Sequence, residues 1–233
     1  MAKTIKRLSV RLTDKEQIWA IIYLLFSIFL LPDLLVLFNQ NLPAPMGKLW
    51  INFLYFTVNF LFVCWILGSF FRRSLIFAGQ NVVNFLIAVT AGSAVYWSCS
   101  WGYSWILGRF FPDFCNLNDG SISAMISDNF AIMLLGTAVF VPVAEEALHR
   151  GLIFGGLYPK SPAAAYILSS VIFASVHIMG YVGVYSTTNL ILAFIQYLPA
   201  GLTLAWAYRK SGSIFAPMLM HAVINTVGVL AQR

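Results

Sequence analysis

Two adjacent carboxylates and an arginine stand inside an apolar stretch: Glu145, Glu146 and Arg150 of AIMLLGTAVFVPVAEEALHRGLIFGGLY. Each such charge costs about 2.5–3.5 kcal/mol at the centre of a bilayer, so one that is kept there needs a partner or a task. Glu146 and Arg150 are four residues apart and share a helix face, which suits an ion pair. Glu145 and His149 have the same spacing on a face rotated by about 100°. Two neighbouring glutamates cannot both face one arginine. Glu145 is therefore the carboxylate without a built-in partner, and a desolvated carboxylate near a histidine suits proton transfer. Pro142, just upstream, can loosen the helix and free backbone groups beside it.

All three histidines also fall in apolar stretches: His149, His177 in VIFASVHIMG and His221 in LMHAVINTVG. One helical turn separates Phe173 from His177, and another separates His221 from Asn225. At a rise of 1.5 Å per residue, Glu146 lies about 21 Å from Lys160 and His177 about 24 Å from Ser161. By the same measure His221 and Asn225 lie about 15 and 21 Å from Ser211. Three separate stretches thus carry polar groups to similar depth, and these are expected to converge.

The elements that must position them are membrane helices. Of 233 residues, 60% are hydrophobic, 16% aromatic and only 9% charged, whereas a soluble domain is about one-quarter charged. That composition excludes a soluble globule and a disordered chain. It implies an all-α, polytopic helix bundle. The first apolar run, IWAIIYLLFSIFLL, is too long and lacks the cleavage site of a signal peptide, so it reads as a retained span. Further runs lie at about 49–71, 81–107, 129–157, 162–180, 189–208 and 213–231, giving about seven spans. The polar centre of the third, SAVYWSCSWGYS, leaves a broken or re-entrant helix open. Residues 1–233 read as a single membrane domain, with a catalytic core at about 129–231 preceded by three spans at about 18–107.

Charge sets the expected orientation. Lys3, Lys6, Arg7, Arg11, Lys15, Arg72, Arg73, Lys160, Arg209 and Lys210 fall on one side, against Lys48, Arg109 and Arg233 on the other. The bias places the amino end in the cytoplasm and, with seven spans, the carboxyl end outside. Asp113, Asp119 and Asp128 fall in the outer loop, while Asp33 follows Pro32 at an expected helix break. The net charge of +6 is explained by this anchoring and by anionic lipid, so no nucleic-acid partner is expected. Cys64, Cys99 and Cys115 suit no pairing scheme or metal spacing, and only Cys115 is expected to be exposed.

Packing alone would account for some of these residues. A single buried histidine is usually a satisfied core residue, and an intramembrane asparagine is often inter-helical glue. Gly151, Gly155 and Gly156 read as close-packing positions, and Tyr23, Tyr55 and Tyr103 as bulk. Two carboxylates, an arginine, two histidines and an asparagine at matched depth are harder to maintain as packing.

These motifs resemble those of the CAAX protease and bacteriocin-processing (CPBP, or Abi) family of intramembrane proteases. EEALHR at 145–150 is similar to its EExxxR motif, FASVH at 173–177 to FxxxH and HAVIN at 221–225 to HxxxN. The resemblance covers about residues 129–231, in the same order and each motif on its own span. It implies Glu145 as the base that activates water with help from His177, His221 and Asn225 as oxyanion donors, and Glu146 with Arg150 as an orienting pair. It also raises zinc, for which Glu145, His177 and His221 would be the ligands, leaving a fourth position open. HExxH is absent, and Asn225 suits an oxyanion hole better than a zinc shell, which favours metal-independent catalysis.

The leading expectation is an intramembrane endopeptidase in a bacterial plasma membrane. Its substrate would be a peptide or lipidated protein in the bilayer: a CAAX-type protein, a bacteriocin, or a leader or signalling peptide. The alternative is a non-enzymatic membrane scaffold or bacteriocin-immunity protein of the same fold. A proton-coupled transporter would also use buried Glu and His, but its paired inverted repeats are not found.

Overall fold

The computed structural model describes residues 8–232, so Lys3, Lys6, Arg7 and Arg233 lie outside the described residues. Among the described residues all regular structure is helical: α1 (Asp14–Phe29), α2 (Leu31–Gln40), α3 (Lys48–Gln80), α4 (Val82–Phe110) and α5 (Leu117–Asp128). A continuous rod, α6 (Phe130–Leu157), follows, and then α7 (Pro162–Met179), α8 (Thr187–Ser211) and α9 (Phe215–Ala231). Five of these, α3, α4, α6, α7 and α8, are long and apolar enough to cross a membrane. The pair α1–α2, bent by 47°, makes a sixth candidate, and α9 is apolar with 17 residues, about 25 Å long. The chain is a multi-pass membrane protein, in keeping with the expected seven runs.

Local chemistry explains where the helices stop. Thr13 caps α1 in a reciprocal box with Glu16, and Ser161 and Ser186 cap α7 and α8. The α1–α2 bend falls at Leu30, two residues before Pro32, which puts Asp33 in the first turn of α2. α8 ends on Gly212 at φ 73°, a left-handed conformation in which a Cβ would also meet the Phe77 ring at 2.5 Å. α4 is one unbroken helix despite its polar centre. α3 runs past the expected end near residue 71 to Gln80, because no proline interrupts the apolar residues that follow Arg73.

Helix α6 is mostly α-helical but holds two π stretches, Gly136–Phe140 and Ala147–Phe154. Pro142 has no N–H to return to the preceding turn, and widening that turn accommodates its ring. The Val141 N–H accordingly bonds the Gly136 carbonyl. α8 packs on α7 and α4, while α9 packs on α4, α6 and α8. Tyr23, Leu67, Phe70, Ala147, Phe154 and Tyr208 share one buried cluster, so the early helices bear directly on α6.

One end of the bundle gathers the basic residues. Arg73 bonds Glu16 at 2.6 Å, Arg209 Nε donates to the Tyr158 hydroxyl at 2.6 Å, and the Tyr208 hydroxyl donates to the Val10 carbonyl at 2.6 Å. The opposite end holds α5 and the turn at 180–186, where the Tyr185 hydroxyl donates to the Cys115 carbonyl and Lys48 Nζ to Ser121 Oγ. The three cysteines are free, as expected. Cys99 is exposed along with Cys115, which corrects the expectation for Cys99: its position on α4 faces outward from the bundle.

Candidate active site

The site is built on α6, α7, α8 and α9. Glu146 and Arg150 make the expected ion pair, Oε1 to Nη1 at 2.9 Å, and both side chains are fully buried. The same Glu146 oxygen lies 2.8 Å from His221 Nδ1 on α9. Arg150 then reaches α8, donating from Nη2 to the carbonyls of Gly201 (3.1 Å) and Ala200 (3.4 Å). Its guanidinium sits 4.3 Å above the Phe173 ring of α7. The buried Arg150 thus joins α6, α7 and α8, and its partner Glu146 adds α9, with charge-assisted bonds inside a low dielectric.

Close approach of α7 and α8 is required for this. At Gly201, an added Cβ would stand 2.7 Å from Ser170 Cβ and 2.8 Å from Ser170 Cα. Only glycine lets the carbonyl that receives Arg150 come so near α7.

Glu145 is placed differently. Its side chain is 28% exposed, and Oε2 faces His177 Nε2 at 3.9 Å, whose side chain is 17% exposed. That separation exceeds a hydrogen bond. His177 Nδ1 lies 2.8 Å from the Phe173 carbonyl. A carbonyl only accepts, so Nδ1 carries the hydrogen and, in the neutral ring, Nε2 offers a lone pair towards Glu145. Two acceptors therefore face one another across a gap that suits a donor with two hydrogens.

Beside Glu145 is a cavity of about 60 Å³, lined by Glu145, His149, Tyr55, Asn59, Ser27 and Leu24 among others. One water needs about 10–15 Å³ of such space, so the cavity can hold several. A wider apolar cleft of about 330 Å³ lies between α1 and α7 and shares Ile28 and Val176 with the cavity. Tyr55 and Tyr23 do more than fill space. The Tyr55 hydroxyl donates to the Ser27 carbonyl at 3.3 Å and the Tyr23 hydroxyl to Asn59 Oδ1 at 3.0 Å, which holds the cavity-lining Tyr55 and Asn59 in place.

Of the residues expected at the site, Glu145 with His177, and Glu146 with Arg150 and His221, are brought together. Asn225 Nδ2 donates to the Thr137 carbonyl at 2.8 Å, which ties α9 to the first π stretch and leaves its second N–H for another acceptor. His149 turns Nδ1 to the Glu145 carbonyl at 2.9 Å, and the His149 carbonyl accepts from Ser169 Oγ at 3.2 Å. The Glu146–His221 bond and the Tyr197 ring, 4.4 Å from His177, had no signal in the local spacing. Among the described residues, no three His, Cys, Asp or Glu side chains are placed to hold a metal ion. Among the described residues, Glu145, His177 and His221 do not form the zinc ligand set that the resemblance raised.

Electrostatics outside the spans centre on Asp119 of α5. Burial raises its carboxyl above the ordinary value of 3.8.

Comparison with known proteins bears on the same helices. Residues 127–227 match the family described as Type II CAAX prenyl endopeptidase Rce1-like. A Bacillus subtilis protein named "Putative membrane peptidase YdiL" is 32% identical over 102 residues, 43% of this chain and 37% of that protein. The UPF0177 protein YxdF of Lactococcus lactis is 34% identical over 90 residues, 39% of this chain and 44% of its own length. The chain spans less than half the length of the curated relatives it matches. No solved structure matches. Over the segment that carries all three motifs, the chain is similar to the Rce1-like endopeptidases, and its resemblance to the CPBP family is thereby borne out.

Proposed function

We propose that this chain is an intramembrane endopeptidase that cuts a membrane-associated peptide or protein with water as nucleophile. The observation that carries this reading is the pair of acceptors, Glu145 Oε2 and His177 Nε2, facing one another at 3.9 Å, with Glu145 also lining the cavity. A water between them gives one hydrogen to each. Glu145 removes a proton as the water oxygen attacks the scissile carbonyl, and the proton passes on to the nitrogen of the leaving amine as the C–N bond breaks. Such general acid–base assistance is worth about 10²–10⁴-fold.

His221 and the free N–H of Asn225 serve the oxyanion. The His221 role carries a condition. Its Nδ1–H is spent on Glu146, so Nε2 donates to the oxyanion only when the ring is doubly protonated. Glu146 and Arg150 hold that ring in place. The apolar cleft between α1 and α7 suits an apolar or lipid-modified substrate approaching from the bilayer: a CAAX-type protein, a bacteriocin, or a leader or signalling peptide. The amino end is cytoplasmic, the membrane a bacterial plasma membrane, and the whole chain one membrane domain.

The test is reconstitution of the protein in liposomes with candidate membrane peptides, the products being read by mass spectrometry. Wild type is expected to release a new amino terminus, with Glu145→Ala, His177→Ala and His221→Ala each releasing at least tenfold less. Normal processing by Glu145→Ala would overturn the reading.

A further inference from the structure

His177 is held from a direction that the three motifs do not include. It stands two residues before the end of α7, and its ring is flanked by Phe173 and by Tyr197 of α8, each with centroids 4.4 Å away. The Tyr197 plane is tilted only 32° from the imidazole. Its hydroxyl in turn accepts from Asn116 Nδ2 at 3.3 Å and Asn118 Nδ2 at 3.1 Å. Asn116 Nδ2 also donates to Gln196 Oε1 at 3.0 Å, while its Oδ1 caps α5. The Tyr181 hydroxyl, from the turn after α7, donates to Asn118 Oδ1 at 3.4 Å. Three segments remote in sequence meet around one phenol, and the ring of that phenol leans on the histidine.

We propose that Tyr197 is a positioning residue for His177, and that through it the asparagines at the start of α5 fix the imidazole towards Glu145. The proposal rests on the reading of His177 as the partner of Glu145 in hydrolysis. The Phe173 carbonyl alone gives the ring one hydrogen bond. A ring free to swing about Cβ–Cγ would lose that bond and turn Nε2 away from Glu145. Tyr197 blocks the swing, and the asparagines keep Tyr197 from following it. A misplacement of about 1 Å is enough to cost a reaction about 10²-fold.

Two measurements test this, one of them independent of proteolysis. In full-length protein carrying ¹⁵N-histidine, at one fixed pH in micelles, the ring nitrogen shifts distinguish an Nδ1–H from an Nε2–H tautomer. Wild-type His177 is expected to show Nδ1–H alone. Tyr197→Ala should give a mixture at His177 and leave the tautomers of His149 and His221 unchanged. Asn116→Ala with Asn118→Ala should give a smaller shift in the same direction, equal to that of Tyr197→Phe. Tyr197→Leu, which keeps apolar volume, serves in place of Tyr197→Ala should the latter not fold. An unmixed Nδ1–H pattern at His177 without the tyrosine ring would overturn the proposal. In cleavage, Tyr197→Ala should lower kcat about tenfold or more with KM within about twofold, Tyr197→Phe should recover most of the loss, and Tyr197→Ala should add nothing to His177→Ala. An equal loss in the His177→Ala background would also overturn it. A wild type that cleaves nothing defeats the hydrolase reading, while the tautomer spectra still decide the placement of the ring.

Discussion

Glu146 Oε1 lies 2.8 Å from His221 Nδ1, and this bond joins the first motif of the chain to the third. The same oxygen takes Arg150 at 2.9 Å, so the carboxylate is shared between a permanent cation and a histidine. Glu146 therefore holds His221 in position, and Glu145, one residue away on another face, is free for the role proposed for it. The adjacent carboxylates have separate surroundings because the helix turns them about 100° apart.

Removing Arg150 leaves Glu146 buried without its cation and frees the Gly201 and Ala200 carbonyls. Breaking one side of a buried pair costs about 3–5 kcal/mol. Arg150→Ala should lose stability on that scale in reversible unfolding from mixed micelles. Arg150→Lys should recover little, because an ammonium cannot present the forked donors that reach both Glu146 and α8. A loss below about 1 kcal/mol for Arg150→Ala would contradict the network.

Gly201→Ala should separate α7 from α8, since the new Cβ meets Ser170 backbone at 2.8 Å. Overpacking of this kind costs about 1–3 kcal/mol. The shift also withdraws the Arg150 acceptor, so cleavage should fall with stability. Unchanged melting and cleavage would show that the close approach is not required.

Burial raises the Asp119 carboxyl above 3.8, so its ionised form is the one the fold disfavours. The stability it contributes is present at low pH and is lost as pH rises through the raised value. Asp119→Asn should accordingly melt higher than wild type at pH 7, with the difference closing as pH falls below 3.8. A lower melting temperature for the variant at pH 7 would reverse the sign of this account.

Glu145, His177 and His221 are not gathered into one ligand set among the described residues. Treatment with a chelator, followed by metal analysis of the pure protein, should therefore leave cleavage unchanged. A stoichiometric zinc whose removal abolishes activity and whose return restores it would contradict this.

Much of the architecture could be read from the residues, because a bilayer prescribes helix length and allows few charges. The Glu146–Arg150 pair was legible for a similar reason: a spacing of four puts two side chains on one face whatever surrounds them. The contacts that depend on how each helix is rotated were not. Lipid-facing and protein-facing surfaces are both apolar, so hydropathy carries little information about rotation. The Glu146–His221 bond, the Asn225–Thr137 bond and the Tyr197 contact on His177 are of that kind. So are the π stretches of α6, for which Pro142 was the one visible sign, and only for the first of them.

Glu145 is proposed to activate the attacking water. The most direct measurement is the single-turnover cleavage rate of one liposome-embedded peptide by wild type and by Glu145→Gln, which keeps the shape of the side chain and removes the base. The rate of Glu145→Gln is expected to fall about 10²-fold or more, with peptide binding and melting temperature retained. Glu145→Gln cutting at the wild-type rate would contradict it.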